Sequence, residues 1–416
     1  MRKAFIFTFS LILIVNLLCV SAMGGNVVKG EEEITLPASF TASVENKEDL
    51  SKLPVDIRAK SAVLMDVATG EVLMEYNADL KLFPASVTKI MTILLVAEAI
   101  NSKKISLTDK VSCSENAASK GGSQIWLEPG EQMTVDELLR ATVIGSANDA
   151  ATLLGEYVSG SEEAFIDLMN QRAKELKMEN TNFVNATGLD DTTEAHLTTS
   201  RDIAIMSREL LKYDFIIDYT TVWMDSLRSG ETELVNTNKL VRFYKGTTGL
   251  KTGTTAKAGC CVSASAKRDN LHLVAVVMGS ANSNDRFETA KKMLNWGFSN
   301  YTILLPQIDK NSVNLVPVID GLSTVVDVNI PSLEPVLIKK GDREKVRVDV
   351  KLCENVEAPV AKGQTLGNAT VFVGDEKVGE YKLTALQEVK KINFLHALMK
   401  IFNYISNGDD SFPFTA

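Results

Sequence analysis

The stretch Pro84-Ala85-Ser86-Val87-Thr88-Lys89-Ile90-Met91-Thr92-Ile93-Leu94-Leu95-Val96-Ala97-Glu98-Ala99-Ile100 decides how this chain is read. Proline is pre-set for a first helical turn, so Pro84 opens a helix. From Val87 to Ile100, the residues Ile90, Met91, Ile93, Leu94, Leu95, Ala97 and Ile100 are apolar on nearly every side. Such a helix belongs inside a core and not on its surface. Ser86 and Lys89 stand three apart at its start, which puts them on one face with roughly 5–6 Å between Cβ atoms. A serine hydroxyl needs a base to become a nucleophile, and a lysine serves only when burial or neighbouring cations lower its pKa. Lys89 lies in a segment with almost no other charge, and Ser86 lies where free N–H groups of a helix start favour negative charge.

Two further clusters fit the same chemistry. Ser146-Ala147-Asn148 falls between helical blocks, where a loop can hold a hydroxyl and an amide against a cleft to relay a proton and orient a lysine or substrate. The Ser-Xaa-Asn pattern also occurs at Ser114, Ser280 and Ser312, where a helix cap explains it. Lys251-Thr252-Gly253-Thr254 precedes a strand beginning at Cys260. A cation and a hydroxyl there can hold a carboxylate, and Gly253 lets backbone approach backbone; the plain alternative is a β-turn with a solvated lysine.

Around these clusters, Ser61 to Tyr76 reads as a hairpin turning at Ala68-Thr69-Gly70. Helical periodicity marks Val135 to Val143, Ala150 to Tyr157, Glu163 to Leu176 and Ser200 to Leu211. Cys260 to Ala266 and Leu271 to Met278 form a second hairpin across Lys267 to Asn270, and Ala290 to Phe298 a closing helix. Hairpin, helices and hairpin predict an α+β domain in which both chain ends join one antiparallel sheet. Past Pro306, short Val-rich runs (Val313 to Val316, Ser323 to Val328, Val336 to Ile338, Val346 to Leu352, Ala369 to Val373, Val378 to Leu383) suggest a small all-β module. Ile392, Leu395, Leu398, Met399, Phe402 and Ile405 then fall at helical spacing beside Lys390, Lys391 and Lys400, the pattern of an interfacial amphipathic helix; its alternative is a helix packed on the β module. The expected division is 1–22 signal peptide, 35–305 catalytic domain, 306–388 β domain and 389–416 membrane-associating tail.

The signal is read from Arg2 and Lys3, the apolar run Ala4 to Val20 and the small residues Ser21 and Ala22, with a mature start near Met23. A retained anchor is the alternative, and Cys19, preceded by two leucines, fits a lipoprotein poorly. Export places the chain at the outer face of the membrane and leaves Cys113, Cys260, Cys261 and Cys353, read as buried thiols with no metal-ligand spacing. With 416 residues and a net charge of −9, the chain is long enough for two domains and too acidic for a nucleic-acid partner.

In order and context, Ser86-Val87-Thr88-Lys89, Ser146-Ala147-Asn148 and Lys251-Thr252-Gly253 resemble the three motifs of penicillin-binding proteins and serine β-lactamases. Closer still, Pro84 to Lys89, Asn185 to Leu189 and Gly249 to Gly259 resemble the low-molecular-mass, type-5-like D-alanyl-D-alanine carboxypeptidases. The resemblance covers roughly Ala59 to Phe298 and continues into the β module and tail. It implies a penicillin-binding or serine β-lactamase-like transpeptidase domain with an antiparallel sheet and a helical subdomain. It also implies an enzyme that removes terminal D-alanine from peptidoglycan stem peptides ending in D-Ala-D-Ala, with β-lactams as covalent inhibitors and no cofactor. By that resemblance Ser86 is acylated, Lys89 is base, Ser146 relays the proton and Asn148 orients Lys89 and the peptide. Ser86 and Thr254 N–H groups form the oxyanion hole, and Lys251, Thr252 and Arg286, in a segment before the closing helix, bind the terminal carboxylate. Thr254 departs from relatives that carry histidine there.

A Ser-His-Asp hydrolase is disfavoured by the three histidines His196, His272 and His396, which look like core or surface residues, and by the lack of a Gly-Xaa-Ser-Xaa-Gly elbow. A β-lactamase lacks an identifiable deacylating glutamate here and usually has no added β module. A non-catalytic binding protein is disfavoured by the intact serine, lysines and asparagine.

Overall fold

A computed structural model describes residues 53–407 apart from 310–312 and 314. The expected signal, Cys19 and the start of the expected catalytic domain lie outside the described residues.

Five strands make the central sheet: β1 (Ser61–Asp66), β2 (Val72–Tyr76), β3 (Thr247–Thr255), β4 (Gly259–Arg268) and β5 (Leu271–Ser280), in the order β2-β1-β5-β4-β3. Every pairing is antiparallel, and β1 lies against β5, so the N-terminal and C-terminal hairpins share one sheet as the pattern predicted. Side chains alternate across a strand. Accordingly, Val63, Met65, Val274, Val276 and Met278 enter one core with the helical region, while Ala62, Leu64, Leu273, Ala275 and Val277 enter a second core on the opposite face.

Between β2 and β3 the chain runs through α1 (Lys89–Asn101), α2 (Val135–Arg140), α3 (Asn148–Ser159), α4 (Glu162–Glu175) and α5 (Ser200–Leu210), and α6 (Ser283–Asn300) closes the second face. The helix α1 is buried at Lys89 through Ala97 and again at Ala99, which is what an all-round apolar sequence requires. Side-chain caps set several starts. Thr134 and Glu137 form a reciprocal capping box for α2, and Ser161 and Thr199 cap α4 and α5.

Four expectations are corrected. The helix α6 starts at Ser283, seven residues before the expected Ala290, because Asn282 accepts from the Asp285 N–H and caps a polar first turn that apolar periodicity cannot reveal. Arg286 is therefore on the helix, not before it. The segment 247–255, which carries Lys251 to Thr254 and for which a β-turn was the plain alternative, is the edge strand β3, and the β4–β5 turn narrows to Asp269-Asn270 with Asp269 at φ 51°. Cys113, Cys260 and Cys261 are buried free thiols as expected, but Cys353 is exposed.

Beyond α6, Tyr301–Leu304 pairs with Val336–Lys339. The Val-rich region then forms a three-stranded and a four-stranded sheet, which share one apolar cluster through Leu366 and Ala385, while a second lies on the four-stranded sheet at Ala369, Val371 and Leu383. The helix α7 (Phe394–Asn407) leaves Phe394 82% and Phe402 72% exposed, with Leu395, Leu398 and Met399 also exposed. The alternative of an apolar face packed on the β module is thus not what these residues do. Among the described residues no helix is long and apolar enough to cross a membrane.

The buried α1 is the scaffold for everything that follows. Leu94, 0% exposed in the middle of it, should on replacement by alanine cost about 3 kcal/mol through the cavity left behind. Urea unfolding should show a lower midpoint at unchanged slope; a loss below about 1 kcal/mol would contradict the packing described.

Candidate active site

Ser86 does not sit on an α-helix. Pro84 leads into a single 3-10 turn, Ala85–Thr88, and Lys89 is the first residue of α1. In a 3-10 turn, side chains at i and i+3 eclipse, so Ser86 and Lys89 meet more directly than on an α-helix. The Lys89 Nζ is 3.1 Å from Ser86 Oγ, 2.6 Å from Asn148 Oδ1 and 3.0 Å from the Thr187 carbonyl oxygen. A neutral amine has two hydrogens and one lone pair. With the amide oxygen and the carbonyl able only to accept, the two N–H bonds go to them, and the lone pair is left for the serine hydroxyl.

Lys89 is 0% exposed, and burial, with the nearby Lys251 charge as a second cause, drives its pKa well below the ordinary lysine value; Asp149 opposes this. Asn148 is held by its Nδ2 donating to the Gly121 carbonyl and its backbone N–H donating to the Ser123 carbonyl, both at 2.6 Å. Its amide oxygen is thereby turned to Lys89. Ser146 follows a single π-helical turn, Ala141–Gly145, in the left-handed region at φ 63°, and is buried directly before Ala147 and Asn148.

Strand β3 brings the third cluster alongside. A Cβ on Gly253 would lie 2.8 Å from both the Pro84 carbonyl oxygen and the Ser86 nitrogen, so only glycine lets the strand approach the nucleophile's turn this closely. Lys251 is buried, its Nζ donates to the Thr252 carbonyl, and burial followed by the Arg286 charge lowers its pKa to about 7. The Thr252 hydroxyl donates to Thr237 Oγ1 at 2.7 Å. The Arg286 guanidinium donates to the Gly253 carbonyl and Thr254 Oγ1 at 2.9 Å, to the Cys261 carbonyl at 3.2 Å and to Ser283 Oγ at 3.2 Å. Those bonds tie Arg286 to β3 beside Lys251, whose pKa its charge lowers.

The histidines are accounted for elsewhere. His196 accepts from the Val184 N–H at Nδ1, which leaves Nε2 to carry the proton and donate to Thr88 Oγ1 at 2.8 Å. His272 Nε2 meets Thr248 Oγ1, and burial lowers both rings to about 4, so they are neutral core groups. His396 is on α7. Sequence reasoning missed the Thr187 carbonyl, the Gly121 carbonyl and Thr237; two are main-chain groups with no side-chain signature, although Asn185 to Leu189 had been singled out. Among the described residues no group of three or more His, Cys, Asp or Glu side chains is arranged to hold a metal ion.

The profile of the D-alanyl-D-alanine carboxypeptidase family matches residues 46–282, and that of the penicillin-binding protein 5 C-terminal domain matches residues 307–391. The D-alanyl-D-alanine carboxypeptidase DacF of Bacillus subtilis is 43% identical over 346 residues, covering 82% of this chain and 88% of that protein. Among solved structures, penicillin-binding protein 5 from Haemophilus influenzae superposes with a TM-score of 0.70 at 29% identity, over 82% of this chain and 99% of that one. Penicillin-binding protein D2 from Listeria monocytogenes in its ampicillin-bound form gives 0.54 at 30% identity, over 59% of this chain and 100% of that one. The serine, lysine, asparagine and Lys-Thr-Gly groups that meet around Ser86 are thus carried on a relative's fold along most of its length, and the chain belongs to the D-alanyl-D-alanine carboxypeptidase family.

Proposed function

We propose that this chain is a serine-type D-alanyl-D-alanine carboxypeptidase that trims the terminal D-alanine from peptidoglycan stem pentapeptides in cell-wall biogenesis and is acylated by penicillins. The observation that carries this reading is the buried Lys89 amine, 3.1 Å from Ser86 Oγ and within hydrogen-bond distance of two oxygens that can only accept. The names of the relatives, and the ampicillin bound by the Listeria protein, support the substrate class.

In the first step the Ser86 hydroxyl gives its proton to Lys89 while Oγ bonds to the penultimate D-alanine carbonyl carbon. The N–H groups of Ser86 and Thr254 hold the oxyanion. The tetrahedral adduct collapses, the C–N bond breaks, and Ser146 passes its proton to the departing D-alanine nitrogen while taking up the proton held by Lys89. Water then adds to the acyl ester carbonyl as its proton passes to Lys89, the ester C–O bond breaks, and that proton returns to Ser86 Oγ, which frees the serine. Asn148 orients Lys89 and the peptide. Lys251 and Thr252 bind the terminal carboxylate, Gly253 gives room for strand-like pairing along β3, and Arg286 supplies positive charge beside Lys251. Because Lys89 must be neutral to act, acylation is lost as the pH falls through its lowered pKa.

The same reading includes export, with residues 1–22 as signal, a catalytic domain to 305, a β domain over 306–388, and residues 389–416 lying on the membrane surface. The exposed Phe394, Leu395, Leu398, Met399 and Phe402, with Lys390 and Lys391 at the helix entrance, support the last point.

Ser86→Ala should abolish both D-alanine release from a D-alanyl-D-alanine peptide and the mass increase on exposure to penicillin, with the melting temperature retained; an adduct on the variant would refute the assignment. Removing residues 389–416 should release the protein from sedimenting anionic vesicles, and equal partition of the two forms would exclude the tail as anchor.

A further inference from the structure

We propose that Asp190, Thr255 and Lys257 form a clasp that positions the catalytic lysine, by fastening the loop that supplies Lys89's carbonyl ligand to the far end of the substrate strand. The inference rests on the role given to Lys89 above. The loop is closed at its base, where Asn182 and Leu197 exchange backbone hydrogen bonds at 2.8 and 3.2 Å. Inside, Asn185 ties it to itself: its Oδ1 accepts from the Thr187 and Gly188 N–H groups and its Nδ2 donates to the Leu189 carbonyl. A loop so packed moves as a unit.

Its inner face touches the nucleophile and base segment. The Thr187 carbonyl accepts from Lys89, the Ala186 carbonyl accepts from Thr92 Oγ1 at 2.7 Å, and Gly188 lies so close to the Ala85 carbonyl that an added Cβ would sit 1.8 Å away. Its outer face is held by β3 and the turn after it. Thr255 Oγ1 donates to Asp190 Oδ2 at 2.5 Å and accepts from the Ala258 N–H at 3.0 Å, so one hydroxyl ties the loop to the β3–β4 turn. Lys257 Nζ donates to the Asp190 and Thr193 carbonyls at 2.9 and 3.1 Å, and to Glu194, while lying 5.3 Å over the Phe83 ring just ahead of Pro84.

Asp190 is 2% exposed, so its bond is made away from water; the Glu194 arm is 80% exposed and contributes little. Thr255 directly follows Thr254, and Asp190 stands three residues from Thr187. Substrate strand and base are therefore linked through one buried carboxylate. Releasing it lets Thr187 retreat from Lys89, and small misplacements of a catalytic group carry large rate costs.

The test is stopped-flow acylation by a penicillin, separating initial binding from the acylation rate constant, on full-length wild type, T255V, T255S and K257M, with melting temperatures. Wild type acylating at Ser86 establishes the underlying reading independently; no acylation of wild type overturns that reading and this one together. With wild type active, T255V should lower the acylation rate constant roughly tenfold or more while initial binding stays within about twofold, and T255S, which keeps the hydroxyl, should restore it. K257M, which leaves Asp190 paired with Thr255 and so folds even if T255V does not, should shift the rate constant in the same direction. Unchanged acylation in both T255V and K257M, failure of T255S to restore the rate, or equal loss of binding and acylation would each overturn the clasp.

Discussion

The site depends on the cost of keeping a charge on Lys89 in a place without water. Burial disfavours the ammonium and the charge at Lys251 disfavours it further, while two of the three groups in reach of the amine, the Asn148 amide oxygen and the Thr187 carbonyl, can only accept, which in the neutral form leaves the lone pair for Ser86. The amine is thereby a base held against Ser86. Remove the burial and the same residues become an ordinary surface pair.

Each structural element can be read as a means to that end. The apolar α1 supplies the dry environment and fixes where the Lys89 stem begins. The 3-10 turn in front of it brings Ser86 over Lys89, Asn148 is locked by the Gly121 and Ser123 carbonyls, and the loop 182–197 delivers the Thr187 carbonyl. Gly253 then lets β3 close over the turn, and Arg286 braces that strand. Burying two amines in such a crevice opposes folding, and the two apolar cores on the faces of the sheet offset it.

Much of this was legible in the chain because it rests on side-chain type and period. The all-apolar run from Ile90, the Ser86 to Lys89 spacing and the small hairpin strands each carry a local signal that tertiary packing reinforces. What was not legible rests on main chain or on caps. β3 has the composition of a loop and is a strand only because β4 pairs with it, and the start of α6 depends on Asn282, not on apolar residues. The expected α-helical setting of Ser86 differs for a related reason: Ala85 takes φ 49°, which the sequence Pro-Ala-Ser does not announce. The Thr187 carbonyl belongs to a residue whose side chain has no part in the site, and the use of Arg286 as a brace follows from where its helix begins.

The most direct test of the account is the protonation state of Lys89 itself. Nitrogen-15 NMR of the lysine Nζ groups, recorded as a function of pH with Lys89→Arg for assignment, should show, besides that of Lys251, a resonance titrating well below the ordinary lysine value of 10.5 that disappears in the variant. A Lys89 amine that titrates near 10.5 would mean that no base stands beside Ser86 at working pH, and the account would fail.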